Sequence, residues 1–261
     1  MKNFLKIFLI IIGLFVFKND SYAFFDFMKS NKQVLNLYVA ASLKKPMDEV
    51  IQKFKEKYPD IEIRVNYGAS GGLYAQIIQG QPCDLYFSAD WRYVKKLENY
   101  ERLIKGEKFL TDKLVLVVSK TGRKKIKSIN DLIKPGVILA VADPKAPVGV
   151  YAERALKKLG LWDKILAIGN LKTRPGTVNQ VAIMVKEDQV DAGFVYKSVA
   201  YGYGLKPVQI LPESITGQIV YGVGLIKGGN IKLAEKFYNF LCHNINIFNK
   251  YGWNKYENEK F

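Results

Sequence analysis

The 261-residue chain has a single histidine, His243, and only two cysteines, Cys83 and Cys242. One histidine beside a cysteine near the carboxyl end is a poor ligand set, and no cluster of His, Cys and carboxylates has metal-site spacing. The same scarcity leaves no Ser-His-Asp arrangement, and no paired carboxylates suggest general acid–base chemistry. An oxidising compartment would permit a Cys83–Cys242 disulfide. However, Cys83 precedes an apolar strand and Cys242 falls in an apolar helical stretch, so two separate core thiols are expected. Long single-sign charge runs are also missing. The formal charge is +16, but the longest basic run is Arg123-Lys124-Lys125. The other lysines come in ones and twos with Glu and Asp between them. That pattern describes a solvated basic surface and not a nucleic-acid footprint. There is no internal repeat, low-complexity tract or long linker, and nearly half of the residues are hydrophobic, so the chain is long enough for one or two domains with a real core.

The amino terminus has the form of a targeting segment. Lys2 and Lys6 precede an apolar run from Ile7 to Phe17, and Ser21-Tyr22-Ala23 offers small residues before a cut after Ala23. The run is short for a span of ~20 apolar residues, and no second such run follows. No cysteine lies near the cut, which argues against a lipid anchor. Residues 1–23 are therefore expected to be a signal peptide, and the mature protein an exported, soluble one: periplasmic in a bacterium with two membranes. Removing Lys2, Lys6 and Lys18 with Asp20 lowers the net charge by two, leaving a surface that would still gather small anions.

The rest of the chain alternates strands and helices. Val34–Ala41 reads as a buried strand, and Leu43, Met47, Val50, Ile51 and Phe54 recur at helical spacing behind it. Ile61–Tyr67 alternates as a second strand and Asp84–Ala89 forms a third. Asp90 caps a helix starting at Trp91. Phe109–Ser119 is a long apolar strand of the kind that crosses between lobes, and Gln218–Ile226 is a candidate return crossing. Between them, strands are expected at Val137–Ala142, Ile165–Gly169, Ala192–Tyr196 and Val208–Leu211, and a closing helix over Lys232–Tyr251. This alternation defines an α/β class with a mostly parallel architecture.

Four turns share one design: a strand end, small residues, then a helix start. The most distinctive is Tyr67-Gly68-Ala69-Ser70-Gly71-Gly72-Leu73. The first N–H groups of a helix lack internal acceptors and its dipole favours negative charge, so a glycine-rich turn with a hydroxyl is a seat for an anion. Ser42 heads the first such turn, where it fits a helix N-cap or an outward donor. Val148, after Asp143-Pro144-Lys145-Ala146-Pro147, and Val178, after Thr173-Arg174-Pro175-Gly176-Thr177, head the other two. Two of the turns precede the middle crossing and two follow it, so facing lobes would bring four helix starts to one cleft.

At these residues the chain resembles the periplasmic molybdate-binding proteins of ABC importers. Ala40-Ala41-Ser42-Leu43, Gly68-Ala69-Ser70-Gly71-Gly72-Leu73, Asp84-Leu85-Tyr86-Phe87-Ser88-Ala89-Asp90, Ala142-Asp143-Pro144 with Gly149-Val150-Tyr151-Ala152, and Gly193-Phe194-Val195-Tyr196 match in order and spacing, and Lys250-Tyr251-Gly252-Trp253 is similar to the family's closing motif. The resemblance implies a two-lobed periplasmic binding protein fold of type II. Its lobes would comprise residues 32–112 plus 220–261 and residues 113–219. It implies a molybdate site, open also to tungstate, built from Ser42, Ser70, the backbone N–H groups of Val148 and Val178, and the Tyr196 hydroxyl. The ion would be held as an oxyanion and not by direct metal coordination. No cofactor, catalytic residue or nucleic-acid partner is implied; the partner is a membrane permease and the protein a monomer. Two departures stand out: Val199 where the family often has Asp three residues after the tyrosine, and Val148 where a small residue is common.

Such a site would give only donors, so it would reject an oxyanion whose proton found no acceptor. Discrimination against sulfate would then rest on cavity size. The alternatives are a binder of another oxyanion (sulfate or phosphate), a ferric-iron binder, or an enzyme on the same fold. Iron binders of this fold often show adjacent tyrosines, whereas Tyr201-Gly202-Tyr203 reads as a loop. Arg174 is expected to be a surface charge of its loop.

Overall fold

The computed structural model describes residues 33–257; the expected signal peptide over residues 1–23 lies outside the described residues. Two sheets organise the chain. The first has the order β11-β4-β10-β3-β1-β2 and the second β7-β6-β8-β5-β9. The first contains β1 (Gln33–Ala40), β2 (Ile61–Gly68), β3 (Leu85–Ser88), β4 (Leu103–Asp112), β10 (Ile219–Ile226) and β11 (Asn254–Lys255). The second contains β5 (Leu114–Val118), β6 (Leu139–Ala140), β7 (Leu171–Thr173), β8 (Ala192–Tyr196) and β9 (Pro207–Ile210).

Neither sheet is purely parallel. β1 pairs in parallel with β2 and β3, and β6 with β7 and β8, as strand–helix–strand units require. β10 runs antiparallel to β3 and β4, and β5 antiparallel to β8 and β9. These antiparallel strands stand where the chain leaves one sheet for the other and returns.

The crossings differ from the sequence expectation. Phe109–Ser119 is not one strand: β4 ends at Asp112 in the first sheet and β5 begins at Leu114 in the second, so Lys113 is the passage. The return is made by Pro212, a one-turn helix at Glu213–Thr216, and Gly217 at φ 72°. β10 follows wholly in the first sheet, all of it buried. The apolar stretch expected as a strand at Ile165–Gly169 is instead the end of a helix, Trp162–Ala167, which buries Trp162 and Ile165. Alternating and helical spacings are hard to separate in so short a run. The closing helix is two, Ile231–His243 and Asn246–Lys250.

Helix packing covers both sheets. α1 (Lys44–Lys57) buries Met47, Val50, Ile51 and Phe54 against the first sheet, and Phe54 meets Phe237 and Phe240 edge-on at 5.1 and 5.2 Å. α4 (Pro147–Lys158, after α2 at Ser70–Ile78 and α3 at Trp91–Lys96) buries Val148, Tyr151, Ala152, Ala155 and Leu156. The cysteines do not match expectation in full: Cys83 is buried, but Cys242 is exposed on its helix, and both are free thiols. No helix among the described residues is long and apolar enough to cross a membrane.

Candidate functional site

The four turns converge on one cavity. Ser42, Ser70, Val148, Val178 and Tyr196 all line it, with Ala41, Ala69, Ala89, Pro147 and Thr177 between them. Its volume is about 20 Å³. A single water needs roughly 10–15 Å³ on this measure, so the cavity suits one small guest and excludes an organic molecule of ordinary size. No Lys, Arg, His, Asp or Glu is among its lining residues.

Each donor reaches the cavity by its own local route. After β1 the backbone tightens into a 3-10 turn, Ala41–Leu43, and α1 begins at Lys44 with Leu43 as its N-cap. Ser42 therefore caps nothing. Its Oγ accepts a hydrogen bond from the Tyr221 hydroxyl at 3.1 Å and leaves its own proton for the cavity. Ser70 is the first residue of α2, behind Ala69. Its Oγ accepts the Ala89 N–H at 3.0 Å, and its carbonyl accepts the Tyr86 hydroxyl at 2.7 Å. Both serines are nearly fully buried.

The second sheet contributes backbone. Pro147 opens α4 and Val148 stands second in it, where an N–H has no acceptor within the helix. α6 (Val178–Lys186, after α5 at Trp162–Ala167 and β7) opens on Val178 behind a capping box, in which Thr177 and Gln180 satisfy each other's backbone N–H groups. That leaves the Val178 N–H facing outward. Tyr196 ends β8 at 1% exposure, and its hydroxyl has no hydrogen-bond partner. Burial pushes that hydroxyl's pKa well above 10.0, so it is a neutral donor.

The glycines act differently from expectation. Gly71 does not bare the backbone to a ligand; it admits the other half of the molecule. Its N–H donates to the Lys145 carbonyl at 2.9 Å, and a Cβ there would meet that oxygen at 2.7 Å and the Tyr93 hydroxyl at 2.8 Å. Asn179 makes a second bond between the halves, donating from Nδ2 to the Ala41 carbonyl at 2.7 Å, and Lys45 Nζ reaches the Gly202 carbonyl. The halves are thus shut over the cavity.

Arg174 is neither a cavity residue nor a free surface charge. Its guanidinium pairs with Glu153 at 3.0 Å, donates to the Ala142 carbonyl at 3.3 Å and lies over the Trp162 ring. Tyr201 and Tyr203 are not a simple loop: α7 (Lys197–Gly202) holds Tyr201 exposed, and Tyr203 packs under Lys45 at 4.4 Å. Among the described residues no group of His, Cys, Asp and Glu is arranged to hold a metal ion.

Sequence reasoning missed two supports. Tyr221, behind Ser42, sits 179 residues away, and no local pattern links the two. Asp112, the last residue of β4, accepts from the Lys113 N–H at 2.7 Å, the Ser198 N–H at 3.4 Å and the Ser198 hydroxyl. Ser198 lies two residues after Tyr196, so a carboxylate from the first sheet ties down the start of the helix that follows Tyr196. Desolvation raises the Asp112 pKa from 3.8 to about 7, against the lowering effect of these bonds and of Lys197.

Neutral donor residues line one small cavity, with helix starts at Ser70, Val148 and Val178, and such a lining suits an anion that only accepts hydrogen bonds. Over residues 35–254 the chain matches the bacterial extracellular solute-binding proteins, and it belongs to that family. It is 33% identical over 233 residues to YvgL of Bacillus subtilis, named as an ABC transporter substrate-binding lipoprotein, covering 85% of this chain and 86% of that one. It is 29% identical over 231 residues to the molybdate-binding protein ModA of Escherichia coli, covering 84% and 88%. The solved periplasmic molybdate-binding protein of Azotobacter vinelandii shares the fold at a TM-score of 0.75 and 22% identity, over 85% of this chain and 100% of that one. The two-lobed fold expected from the sequence is therefore the fold of the protein.

Proposed function

We propose that this chain captures molybdate, and tungstate with it, outside the cytoplasm and delivers it to the membrane permease of an ABC importer. The observation that carries the reading is the Tyr196 hydroxyl: buried, without a partner, and in the same cavity as Ser42, Ser70, Val148 and Val178. An orphaned buried hydroxyl costs about 1–3 kcal/mol, and an oxyanion would remove that cost. On this reading the two serine hydroxyls, the Val148 and Val178 N–H groups and the Tyr196 hydroxyl are the ligand set. The lobes are residues 32–112 plus 220–261 and residues 113–219. The kinship with ModA supports the choice of ligand, and the small cavity without charged lining supports an ion held by oriented dipoles. The protein works as a monomeric carrier, without a cofactor and without turning its ligand over. The leader is removed after Ala23.

A thermal melt tests this. Molybdate and tungstate are expected to raise the melting temperature, by a stabilisation of roughly 4 kcal/mol at a thousandfold excess over Kd, while sulfate and phosphate leave it unchanged. Equal shifts with sulfate would assign the cavity to a different oxyanion.

A further inference from the structure

We propose that Tyr221 is a positioning residue that fixes the direction of the Ser42 proton and thereby sets the discrimination against oxyanions carrying a proton of their own. The proposal rests on the oxyanion reading of the cavity and deepens it.

A serine hydroxyl has one proton and two lone pairs, and it rotates freely unless something fixes it. At Ser70 a backbone N–H does the fixing: Ala89 donates to Oγ at 3.0 Å, and that nitrogen can only donate. The Ser70 proton must therefore point elsewhere, and the cavity is where Ser70 faces. At Ser42 the neighbour is another hydroxyl, which is ambiguous in principle, because tyrosine both donates and accepts. The surroundings of Tyr221 remove the ambiguity. Its side chain is fully buried, between the rings of Tyr196 at 5.6 Å and Trp253 at 6.2 Å. Among the described residues the one acceptor its hydroxyl meets is Ser42 Oγ, at 3.1 Å; the Trp253 indole N–H beside it can only donate. If Tyr221 accepted from Ser42, its own buried proton would be stranded, at a cost comparable to any orphaned donor. Donating to Ser42 satisfies it and sends the Ser42 proton into the cavity.

The consequence is selectivity. With both serine protons turned inward, neither serine aims a lone pair at the guest, and the Tyr196 hydroxyl, which has no other partner, satisfies its own buried proton only by donating to that guest. A fully deprotonated tetrahedral anion loses nothing there. Monohydrogen phosphate brings an O–H that finds no acceptor. Tyr221 lies on β10 opposite Leu110 of β4, next to a register shift at Gly222, and β3 pairs with the strand from Gly222 onward. The packing of its buried ring between Tyr196 and Trp253 holds the hydroxyl behind Ser42.

Tyr221→Phe retains the ring and its packing and removes only this donor. Ser42 then becomes a free rotor that can offer a lone pair. The test is calorimetric titration of wild type, Tyr221→Phe, Ser42→Ala and the double variant with molybdate, sulfate and phosphate in mildly alkaline buffer. In Tyr221→Phe the affinity for molybdate is expected to fall about three- to tenfold. The ratio of molybdate to phosphate affinity should fall about tenfold, while the ratio of molybdate to sulfate stays put, because sulfate has no proton. In the Ser42→Ala background the second substitution should change neither ratio. A general loosening of the cavity would admit sulfate and phosphate alike, and that result overturns the proposal. So does an unchanged phosphate ratio in a Tyr221→Phe protein that melts normally. If wild type binds none of the oxyanions, the reading of the cavity itself falls and this inference with it; if wild type binds molybdate and only the ratio fails to move, the inference alone falls.

Discussion

The wall of the cavity built on the first sheet and the wall built on the second present the same chemistry by opposite means. On the first, Ser42 and Ser70 are side-chain donors whose oxygens are already engaged from behind, by Tyr221 and by the Ala89 N–H. On the second, Val148 and Val178 supply backbone N–H groups, and the one side-chain donor, Tyr196, is engaged by nothing. The serine oxygens of the first wall have partners behind them, and only their protons face the cavity; the Tyr196 hydroxyl of the second wall has no partner at all. On the proposed reading, ligand binding and closure of the halves are coupled mainly through the second wall, where an anion supplies the partner that the Tyr196 hydroxyl lacks.

The largest expected effect tests whether the backbone donors of the second wall are as rigid as its geometry demands. Gly149 follows Val148, and a Cβ there would run into the Ala142 carbonyl and stand 2.7 Å from the Asp143 carbonyl oxygen. Backbone cannot step aside cheaply, so the start of α4 must move and take the Val148 N–H with it. Gly149→Ala should destabilise the protein by about 3 kcal/mol and weaken molybdate binding by at least tenfold. The partner substitution on the first wall, Gly72→Ala, has nothing within 4 Å of its Cβ. It should be neutral or stabilise by up to about 1 kcal/mol, as alanine does in a helix. Thermal melts of both variants check the contrast; a Gly149→Ala protein as stable as wild type would show that this wall yields.

Tyr196→Phe comes next. It removes a donor to a charged ligand, worth about 1.5–3 kcal/mol, or ten- to a hundredfold in affinity. The apo protein should be unchanged or slightly more stable, because the variant deletes a polar atom that had no partner. The serine variants should show the reverse balance. Ser70→Ala strands the buried Ala89 N–H, so it should lower apo stability by about 1–3 kcal/mol as well as weaken binding about tenfold. Calorimetric titration beside denaturant melts separates the two costs. If Tyr196→Phe destabilises the apo protein as Ser70→Ala does, the two walls are not different in kind.

Much of this was legible in the chain because the informative features are local. A strand end, a Ser or Thr, a proline at the first helical turn and a glycine after it are read within a few residues, so the turns at Ser42, Ser70, Val148 and Val178 and the strand ending at Tyr196 could be placed in advance. What was not legible depends on distance or on ambiguous periodicity. Ser42 was open to a capping role because its residue type favours one, and only the 3-10 turn before Lys44 shows that it caps nothing. The break at Lys113 falls inside an unbroken run of good strand residues, and pairing partners, not propensity, assign its two halves to different sheets. Cys242 looked like core from its apolar neighbours, but its helix turns it outward. The tie from Asp112 to Ser198 spans 86 residues, and nothing near Tyr196 announces it.

That tie joins the two walls, and it yields the smallest expected effect. Asp112 ends the first-sheet strand and takes hydrogen bonds from Ser198, in the helix that follows Tyr196. Burial raises its pKa from 3.8 to about 7. A carboxyl whose folded pKa lies above its unfolded value binds its proton more tightly when folded, so its contribution to stability is full below about pH 4 and is lost as pH rises through about 7. Other carboxylates act in the opposite sense: pairing and hydrogen bonds lower the pKa of Glu107, Glu153 and Asp188, whose contributions are present at neutral pH and fade in acid. The whole-protein curve mixes both signs, so the informative quantity is the difference between wild type and Asp112→Asn. Asparagine keeps an oxygen for the Lys113 and Ser198 N–H groups and never ionises. Relative to wild type, Asp112→Asn should gain stability steadily between about pH 4 and pH 7 and level off above. Denaturant melts across that range measure it. A difference that is flat with pH would mean that Asp112 titrates as an ordinary carboxylate and that the tie between the walls carries its charge at no cost.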